Sequence, residues 1–381
     1  MSRRKTPIRL TSALLAGLLV AFAVASAAIA WRESPLFAAA DGETIDWRFR
    51  LRGPLAPGPE VLLVTIDDRS VRAFGRWPIP REVLAEAVQA LAHSGARVIA
   101  LDLLFADPQP ASSGVDPDRI LADALRESGA AVVPYAFVFG VDGQVDLPPY
   151  IDRSAIRVYQ LPDRKRLSTD IVARGVVPAT SVIGEAAAGA GHVSVVLAAD
   201  GHLRFDRSAI VFGEQLFPSL AVEAVRLFRG SPREDVVVRV GVDLSIAGQS
   251  VPVDDSLRMA VNYYGPRGTF PTISLADVVA GEIADSVVAG RIVLIGATAT
   301  GAGDTFVTPF STALPGAEHF ATVVDNLLHD QALLRGDRAL AFDLLAIFAG
   351  ALLAAAVATI RAPGVAMAGA ASLLAAWAAT A

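Results

Sequence analysis

The stretch 61-VLLVTIDDRS-70 decides the fold class of this chain. Its first six residues, Val61–Ile66, are apolar or β-branched without alternating with polar residues. Such a continuous run is typical of a strand that is buried on both faces of a parallel sheet. The run ends at Asp67 and Asp68, which are suited to a loop or a site at the end of a strand. The stretch therefore predicts the first strand of an α/β domain.

Predicted helices and strands alternate downstream of this run. The segment that follows Pro80 has helical periodicity, Val98–Leu101 is a second buried run, Asp118–Ser128 is a second helix and Ala131–Val138 is a third strand. The short spacing between strand, helix and strand implies right-handed crossovers. We therefore predict an α/β fold with a mostly parallel sheet flanked by helices.

The pattern resumes in the later half of the chain. The stretch 139–190 is rich in Pro and Gly and predicts a surface insertion. After it, His192–Leu197 and Leu203–Phe212 predict a strand pair around the turn Asp200-Gly201. Further predicted elements are the helices Phe217–Phe228, Ser274–Ala280 and Gly316–His329 and the strands Arg258–Tyr264 and Ile292–Ile295.

A membrane helix is predicted near the start of the chain. Residues 10–31 carry no charge and are long enough to cross a hydrocarbon core of roughly 30 Å. Four basic residues lie within 1–9, which favours a cytoplasmic N-terminus. The alternative is a cleaved signal peptide, because Ala28-Ile29-Ala30 resembles a cleavage site.

Two further membrane helices are predicted at the other end. Residues 339–360 are apolar apart from one aspartate, 361–364 form a short turn, and 365–381 are a second uncharged run that reaches the chain end. Counted from a cytoplasmic N-terminus, residues 32–338 lie outside the cytoplasm and the turn with Arg361 lies inside, as the positive-inside rule requires. We therefore expect a multi-pass inner-membrane protein with a large periplasmic domain, and we expect the chain to be the front part of a longer protein.

Composition removes several classes of function. The chain has no cysteine, which excludes disulfide frameworks, thiol catalysis and Cys-ligated metal centres. With 33 basic and 39 acidic residues it has no basic excess for binding nucleic acid. The five histidines lack metal-ligand spacing, and the HExxH, GxSxG and Walker A motifs are absent. We therefore assign no catalytic residue, metal or cofactor from the sequence.

Polar residues cluster after the predicted strands. In an open parallel sheet, ligands bind in the crevice beyond the carboxyl ends of the strands. The candidate ligand-binding residues at this edge are Asp67, Asp68, Ser70, Asp102, Thr298 and Asp304. The alternative is that Asp67 and Asp68 cap the loop and that Asp102 binds backbone donors.

The run 76-RWPIPR-81 supplies three more candidates. Its prolines fix the loop that enters the first helix, and Arg76, Trp77 and Arg81 are suited to an anionic or aromatic ligand. The alternative is a hydrophobic plug with solvated arginines.

Several motifs together resemble the second type of CHASE domain, an extracytoplasmic sensing domain associated with cyclases and histidine kinases. The motifs are VTIDDRS (64–70), GRWPIPR (75–81), GARVIALD (95–102), NYYGP (262–266) and GRIVLIGAT (290–298). They stand in the family's order, and the resemblance covers about residues 40–335. It implies a sensor behind one N-terminal helix, followed by three membrane helices and a cytoplasmic output, commonly an adenylate or guanylate cyclase and sometimes a kinase. This chain departs from that plan because it ends inside the second of those three helices.

We therefore predict the sensory input module of a bacterial transmembrane signalling protein that regulates a class III-type cyclase. The expected partners are the membrane, an extracytoplasmic small-molecule or protein ligand and a second copy in a homodimer, with no nucleic acid. Two alternatives remain: a membrane-anchored periplasmic hydrolase that uses the aspartate crevice, and a scaffold that only drives dimerisation.

Reporter fusions test the predicted topology. A fusion near residue 150 is expected to be active only with a phosphatase that requires export, because the charges around 10–31 place this segment outside the cytoplasm. A fusion in the turn 361–364 is the control and is expected to give the opposite result. Activity of a cytoplasmic reporter at residue 150 would contradict the orientation.

Overall fold

The computed structural model describes residues 22, 35–75, 77–111, 114–140, 146–161, 172–333, 345 and 348–350. The chain forms two units, one of Met1–Arg52 with Leu334–Ala381 and the other of Gly53–Leu333. The first unit holds helix α1 (Pro35–Arg52). Apart from isolated residues, the predicted membrane helices at 10–31, 339–360 and 365–381 lie outside the described residues. Among the helices within the described ranges, none combines the length and apolarity needed to cross a membrane.

The second unit alternates strands and helices. Its strands are β1 (Val61–Ile66), β2 (Val98–Asp102), β3 (Ala131–Val138), β4 (Val158–Gln160), β5 (Val172–Ala173), β6 (Gly175–Val177), β7 (Gly189–His192), β8 (Phe205–Arg207), β9 (Ala209–Phe212), β10 (Gln215–Pro218), β11 (Val236–Arg239), β12 (Asp243–Ile246), β13 (Gln249–Pro252), β14 (Arg258–Ala260), β15 (Thr272–Ser274), β16 (Ile292–Ala297), β17 (Thr305–Thr308) and β18 (Ser311–Pro315). Its helices are α2 (Asp68–Phe74), α3 (Arg81–His93), α4 (Pro117–Ser128), α5 (Pro149–Asp152), α6 (Ser181–Ala186), α7 (Leu220–Phe228), α8 (Leu275–Val279), α9 (Asp285–Val288) and α10 (Gly316–His329), with a 3₁₀ turn at Arg233–Asp235.

The main sheet has the strand order β15-β1-β16-β2-β3, and β3 also pairs with β7. All of these pairs are parallel, and β6 is antiparallel to β3. The register places Leu63 beside Leu294 and Leu294 beside Ala100, so apolar residues continue across the centre of the sheet. Every residue of β1 and β16 is buried. The predicted parallel sheet flanked by helices is therefore confirmed.

The two faces of the sheet have separate helical covers. Leu62, Val64 and Ile66 belong to a core that also includes residues of α3, α4, α6 and α8. Because side chains alternate along a strand, the intervening residues point to the other face. On that face α10 packs on β1 and β16, and α7 packs on β2 and β3. The result is a three-layer arrangement of helices, sheet and helices.

Local capping explains where several helices begin and end. Asp67, Ser219 and Ser274 accept hydrogen bonds from the first turns of α2, α7 and α8. Helix α3 starts directly after Pro80, as predicted, and α10 has the predicted bounds. Helix α10 is followed by its C-cap residue Asp330, which adopts a left-handed conformation with φ 54°.

The predicted strand pair around Asp200-Gly201 is wrong. Strand β7 stops at His192 and pairs in parallel with β3, and residues 193–204 contain no strand. The predicted strand Leu203–Phe212 is divided into β8, which pairs with β14, and β9, which pairs with β10. A turn does form, since the Gly201 amide donates to the Ala198 carbonyl at 2.9 Å. The local turn signal was correct, but long-range partners take the backbone hydrogen bonds.

Other predicted boundaries also differ from those in the structure. The start of the predicted helix Phe217–Phe228 belongs to β10, and the helix begins only after its cap at Ser219. The predicted strand Arg258–Tyr264 is shortened to β14. Part of the stretch 139–190 joins the main sheet as β6 and the beginning of β7, and Ile183 of this stretch is fully buried. The stretch is therefore not confined to the surface.

Candidate functional site

The carboxyl ends of β1, β16 and β2 meet at one edge of the sheet. Ile66 pairs with Ala297, and Gly296 pairs with Asp102. The residues that follow β1 and β16 therefore emerge beside the end of β2. The predicted candidates among the described residues lie near this edge, in a capping network, in the loop that follows β16 or in the wall of a cavity.

The capping network is built around Asp67. Its Oδ1 atom accepts hydrogen bonds from the Ser70 amide at 2.8 Å, the Ser70 hydroxyl at 2.8 Å and the Ser274 hydroxyl at 2.9 Å. Burial acts to raise the pKa of Asp67, but these hydrogen bonds outweigh it and lower the pKa below the usual value. The network joins the beginnings of α2 and α8, so Asp67 has the capping role given above as the alternative, and Ser70 is one of its hydrogen-bond donors.

Asp68 holds the loop that follows β16. Its carboxylate accepts from the Thr300 amide at 2.9 Å and lies 3.3 Å from the Thr300 hydroxyl. In the same loop, the Thr298 amide donates to the Ile66 carbonyl at 3.0 Å, and the Thr298 carbonyl accepts from Arg267 at 3.5 Å. These contacts give Asp68 and the Thr298 backbone a role in positioning the loop.

A cavity of about 210 Å³ opens beside this network. Three predicted candidates line it, Trp77, Arg81 and Asp102, and most of its other lining residues are apolar. Trp77 is 38% exposed. A concave, mostly apolar site with a few polar groups is the usual form of a small-molecule site, although this one is smaller than most. Arg76, the remaining candidate from the run 76–81, lies outside the described residues.

Arg81 is buried in this wall rather than solvated. Its Nε atom lies 3.2 Å from the Asp118 carboxylate, and one terminal nitrogen donates to the Asp107 carbonyl at 3.4 Å. Its guanidinium also lies over the Phe105 ring, 4.5 Å from the centroid. The charge of Arg81 is therefore already balanced within the fold, and its main contribution is to shape the cavity.

Asp102 is the ionisable group of the cavity whose protonation changes near neutral pH. Burial raises the pKa of Asp102 to about 7, and the nearby negative charge of Asp304 adds to the increase. Asp304 is itself exposed, and its backbone carbonyl accepts from the Gly316 amide at 2.9 Å, at the start of α10. Near neutral pH, Asp102 can therefore either donate or accept a hydrogen bond toward a ligand.

Sequence reasoning missed several parts of this site. Phe105 and Gly303 line the cavity, and Asp118 neutralises Arg81. Gly303 has a φ of 78°, and a Cβ atom there would lie 2.8 Å from the Ala297 carbonyl oxygen. Gly301 and Gly303 are typical of a tight turn, so this part of the cavity could have been predicted from the sequence. The ion pair between Arg81 and Asp118 joins residues far apart in sequence, and no local pattern predicts it.

Comparison with known proteins gives one match. A family model described as the CHASE2 domain matches residues 19–358. No curated protein and no solved structure matches the chain.

The raised pKa of Asp102 predicts a pH-dependent stability. The proton is bound more tightly in the folded state, so the stabilisation is complete below about pH 4 and is lost as the pH rises through about 7. We expect Asp102→Asn to remove this loss and to raise the Tm relative to the wild type above pH 7, by an amount on the order of several degrees.

Thermal unfolding of the purified chain between pH 4 and 8.5 measures this effect. Asp304→Asn is expected to move the same transition to lower pH, because it removes the neighbouring charge. Asp123→Asn on the exposed side of α4 is the control and should leave the profile unchanged. Parallel pH profiles for the wild type and Asp102→Asn would contradict the assignment.

Proposed function

The chain belongs to the CHASE2 domain family, and we propose that it is the input module of a bacterial transmembrane signalling protein whose output is a class III-type adenylate or guanylate cyclase. CHASE2 domains are extracytoplasmic sensor domains. The sensory role follows from this membership. The cyclase output, the membrane anchoring and the ligand site are parts of the proposal.

The observation that carries the ligand site is the cavity at the carboxyl edge. It combines an apolar wall, a partly exposed indole at Trp77 and one carboxyl group whose charge changes near neutral pH. These features suit a small ligand with an apolar body and a basic or hydrogen-bond-donating group. Binding of a basic group would favour the ionised form of Asp102, so ligand affinity would increase with pH across this range.

Helix α10 provides a route from the cavity to the end of the domain. Its first residue, Gly316, binds the Asp304 carbonyl and lies beside Asp102, since a Cβ atom at Gly316 would be 3.8 Å from the Asp102 carboxylate. The helix then extends for 14 residues, about 21 Å, and ends at His329. In sequence, only a short segment separates His329 from the predicted membrane helix at 339–360. A shift of α10 would therefore be passed along the chain as a small translation or rotation.

The extracytoplasmic location has support from the sequence. The uncharged runs at both ends and the basic residues at 1–9 and 361 are arranged as the positive-inside rule requires for an exported domain. A sensor in this position would respond to periplasmic or extracellular compounds while its output remains in the cytoplasm.

An insertion in the full-length signalling protein tests the function. The substitution Asp102→Asn alters the cavity, so it can be used although no ligand is known. We expect it to change the cyclase activity, which is measured as the amount of cyclic nucleotide in cells. A flexible Gly-Ser insertion after Leu334 is expected to abolish the difference between the wild type and Asp102→Asn, because it interrupts the connection from α10. The control is the same insertion after Gly248, in the turn between β12 and β13.

Two results would contradict the proposal. If Asp102→Asn leaves cyclase activity unchanged in the uninterrupted protein, the cavity is not the sensing site. If the difference persists with the insertion after Leu334, the signal does not travel through α10. Thermal unfolding of each variant confirms that the domain remains folded.

A further inference from the structure

A second polar cluster lies at the end of α10 that is farther from the cavity. Glu60 precedes β1 at the amino edge of the sheet, and Asp325 and His329 are one helical turn apart near the end of α10. One ligand-capable atom from each of the three residues lies within 4.8 Å of the others. An imidazole with two carboxylates is a ligand set used for divalent transition metals.

Both ring nitrogens of His329 lie near a carboxylate, since Nδ1 is 3.4 Å from Asp325 Oδ1, and the backbone hydrogen bond of His329 fixes which nitrogen keeps a free lone pair. The Nδ1 atom lies 3.1 Å from the Asp325 carbonyl oxygen. A carbonyl can only accept, so Nδ1 carries the proton and Nε2 is left as the atom directed at Glu60. Metal-binding histidines are commonly oriented in this way, with the other ring nitrogen donating to a backbone carbonyl.

The cluster has more acceptors than donors. His329 Nε2 lies 3.2 Å from Glu60 Oε2, yet this buried Oε2 atom accepts no hydrogen bond from the described residues. The Asp325 carboxylate receives the Gly58 amide at 3.0 Å. With a neutral imidazole, a nitrogen lone pair and a carboxylate oxygen would face each other without a positive charge between them, which is unfavourable for a buried polar atom.

Gly58 leaves the space into which these groups point. A Cβ atom at this position would lie 2.3 Å from His329 Cε1, 2.6 Å from Glu60 Oε2 and 2.8 Å from Asp325 Oδ1. All three side chains therefore converge on the bare Cα of one loop residue. Any side chain at position 58 would displace the convergent atoms.

We propose that Glu60, Asp325 and His329 bind a divalent transition-metal ion of the Zn²⁺ class. The ligands are His329 Nε2 and one oxygen from each carboxylate, and water completes the coordination sphere. Three protein ligands plus water is an established arrangement for zinc. The competing explanation is a proton on Nε2, which would make His329 an imidazolium paired with both carboxylates.

The bound ion would connect the two segments that leave the domain. Glu60 belongs to the segment that enters from the first unit in sequence, and His329 ends the helix that leads toward the predicted second membrane helix. Binding of the ion would hold the end of α10 against the start of β1 and would limit its movement. This site is separate from the cavity at Asp102 and does not depend on the ligand proposed there.

Calorimetric titration with Zn²⁺ tests the site. The full chain is prepared without a polyhistidine tag and stripped with a chelator, and it is expected to bind one Zn²⁺ at this site. Loss of an outer-shell partner alone weakens metal binding by about 10–100-fold, so His329→Ala is expected to weaken it at least tenfold. Glu60→Gln keeps the size of a partly exposed side chain and serves as the variant that should remain folded.

The matched control is His93→Ala. His93 also lies at the end of a helix with its Nδ1 atom 2.7 Å from the carbonyl four residues earlier, but it belongs to no such three-residue group in the described ranges. Loss of Zn²⁺ binding in His329→Ala and Glu60→Gln, with binding retained in His93→Ala, supports the site. Equal Zn²⁺ affinity in all four proteins, or no binding to the wild type, would overturn it and leave the protonated histidine as the explanation.

Discussion

Parallel pairing of β1, β16 and β2 is the constraint on which the rest of the structure depends. These strands are covered on both faces, so their middles admit only apolar side chains. Polar chemistry is therefore restricted to the two edges of the sheet. Because the strands run in the same direction, Asp67, Asp102 and the loop after Ala297 are brought together at one edge although they are distant in sequence.

Helix α10 links the two edges. It starts where the Gly316 amide binds the Asp304 carbonyl, beside the cavity, and it ends where His329 faces Glu60 at the amino edge. It also packs along β1 and β16, in which every residue is buried. A helix supported in this way transmits a displacement better than it absorbs one, because a close-packed interior has little free volume. The proposed ligand site and the proposed metal site would thus act on opposite ends of one rigid element.

The sequence predicts well those helices and strands that one continuous stretch of residues specifies. Val61–Ile66, Ala131–Val138 and Gly316–His329 have the predicted bounds because an apolar run or a helical period marks each of them. Asp102 was found through the general rule about the carboxyl ends of strands. By contrast, the pairing of β8 with β14, the ion pair of Arg81 with Asp118 and the approach of Glu60 to His329 each depend on residues far apart in sequence. The spacing of the histidines alone therefore does not indicate the proposed metal site.

In the proposed sensor, a change at Asp102 is transmitted along α10. Hydrogen exchange of the backbone amides, compared between the wild type and Asp102→Asn, measures this most directly. We expect altered protection along α10 as far as Asn326, with β11, β12 and β13 unchanged as an internal reference. A change confined to the cavity residues, with α10 unaffected, would contradict the claim.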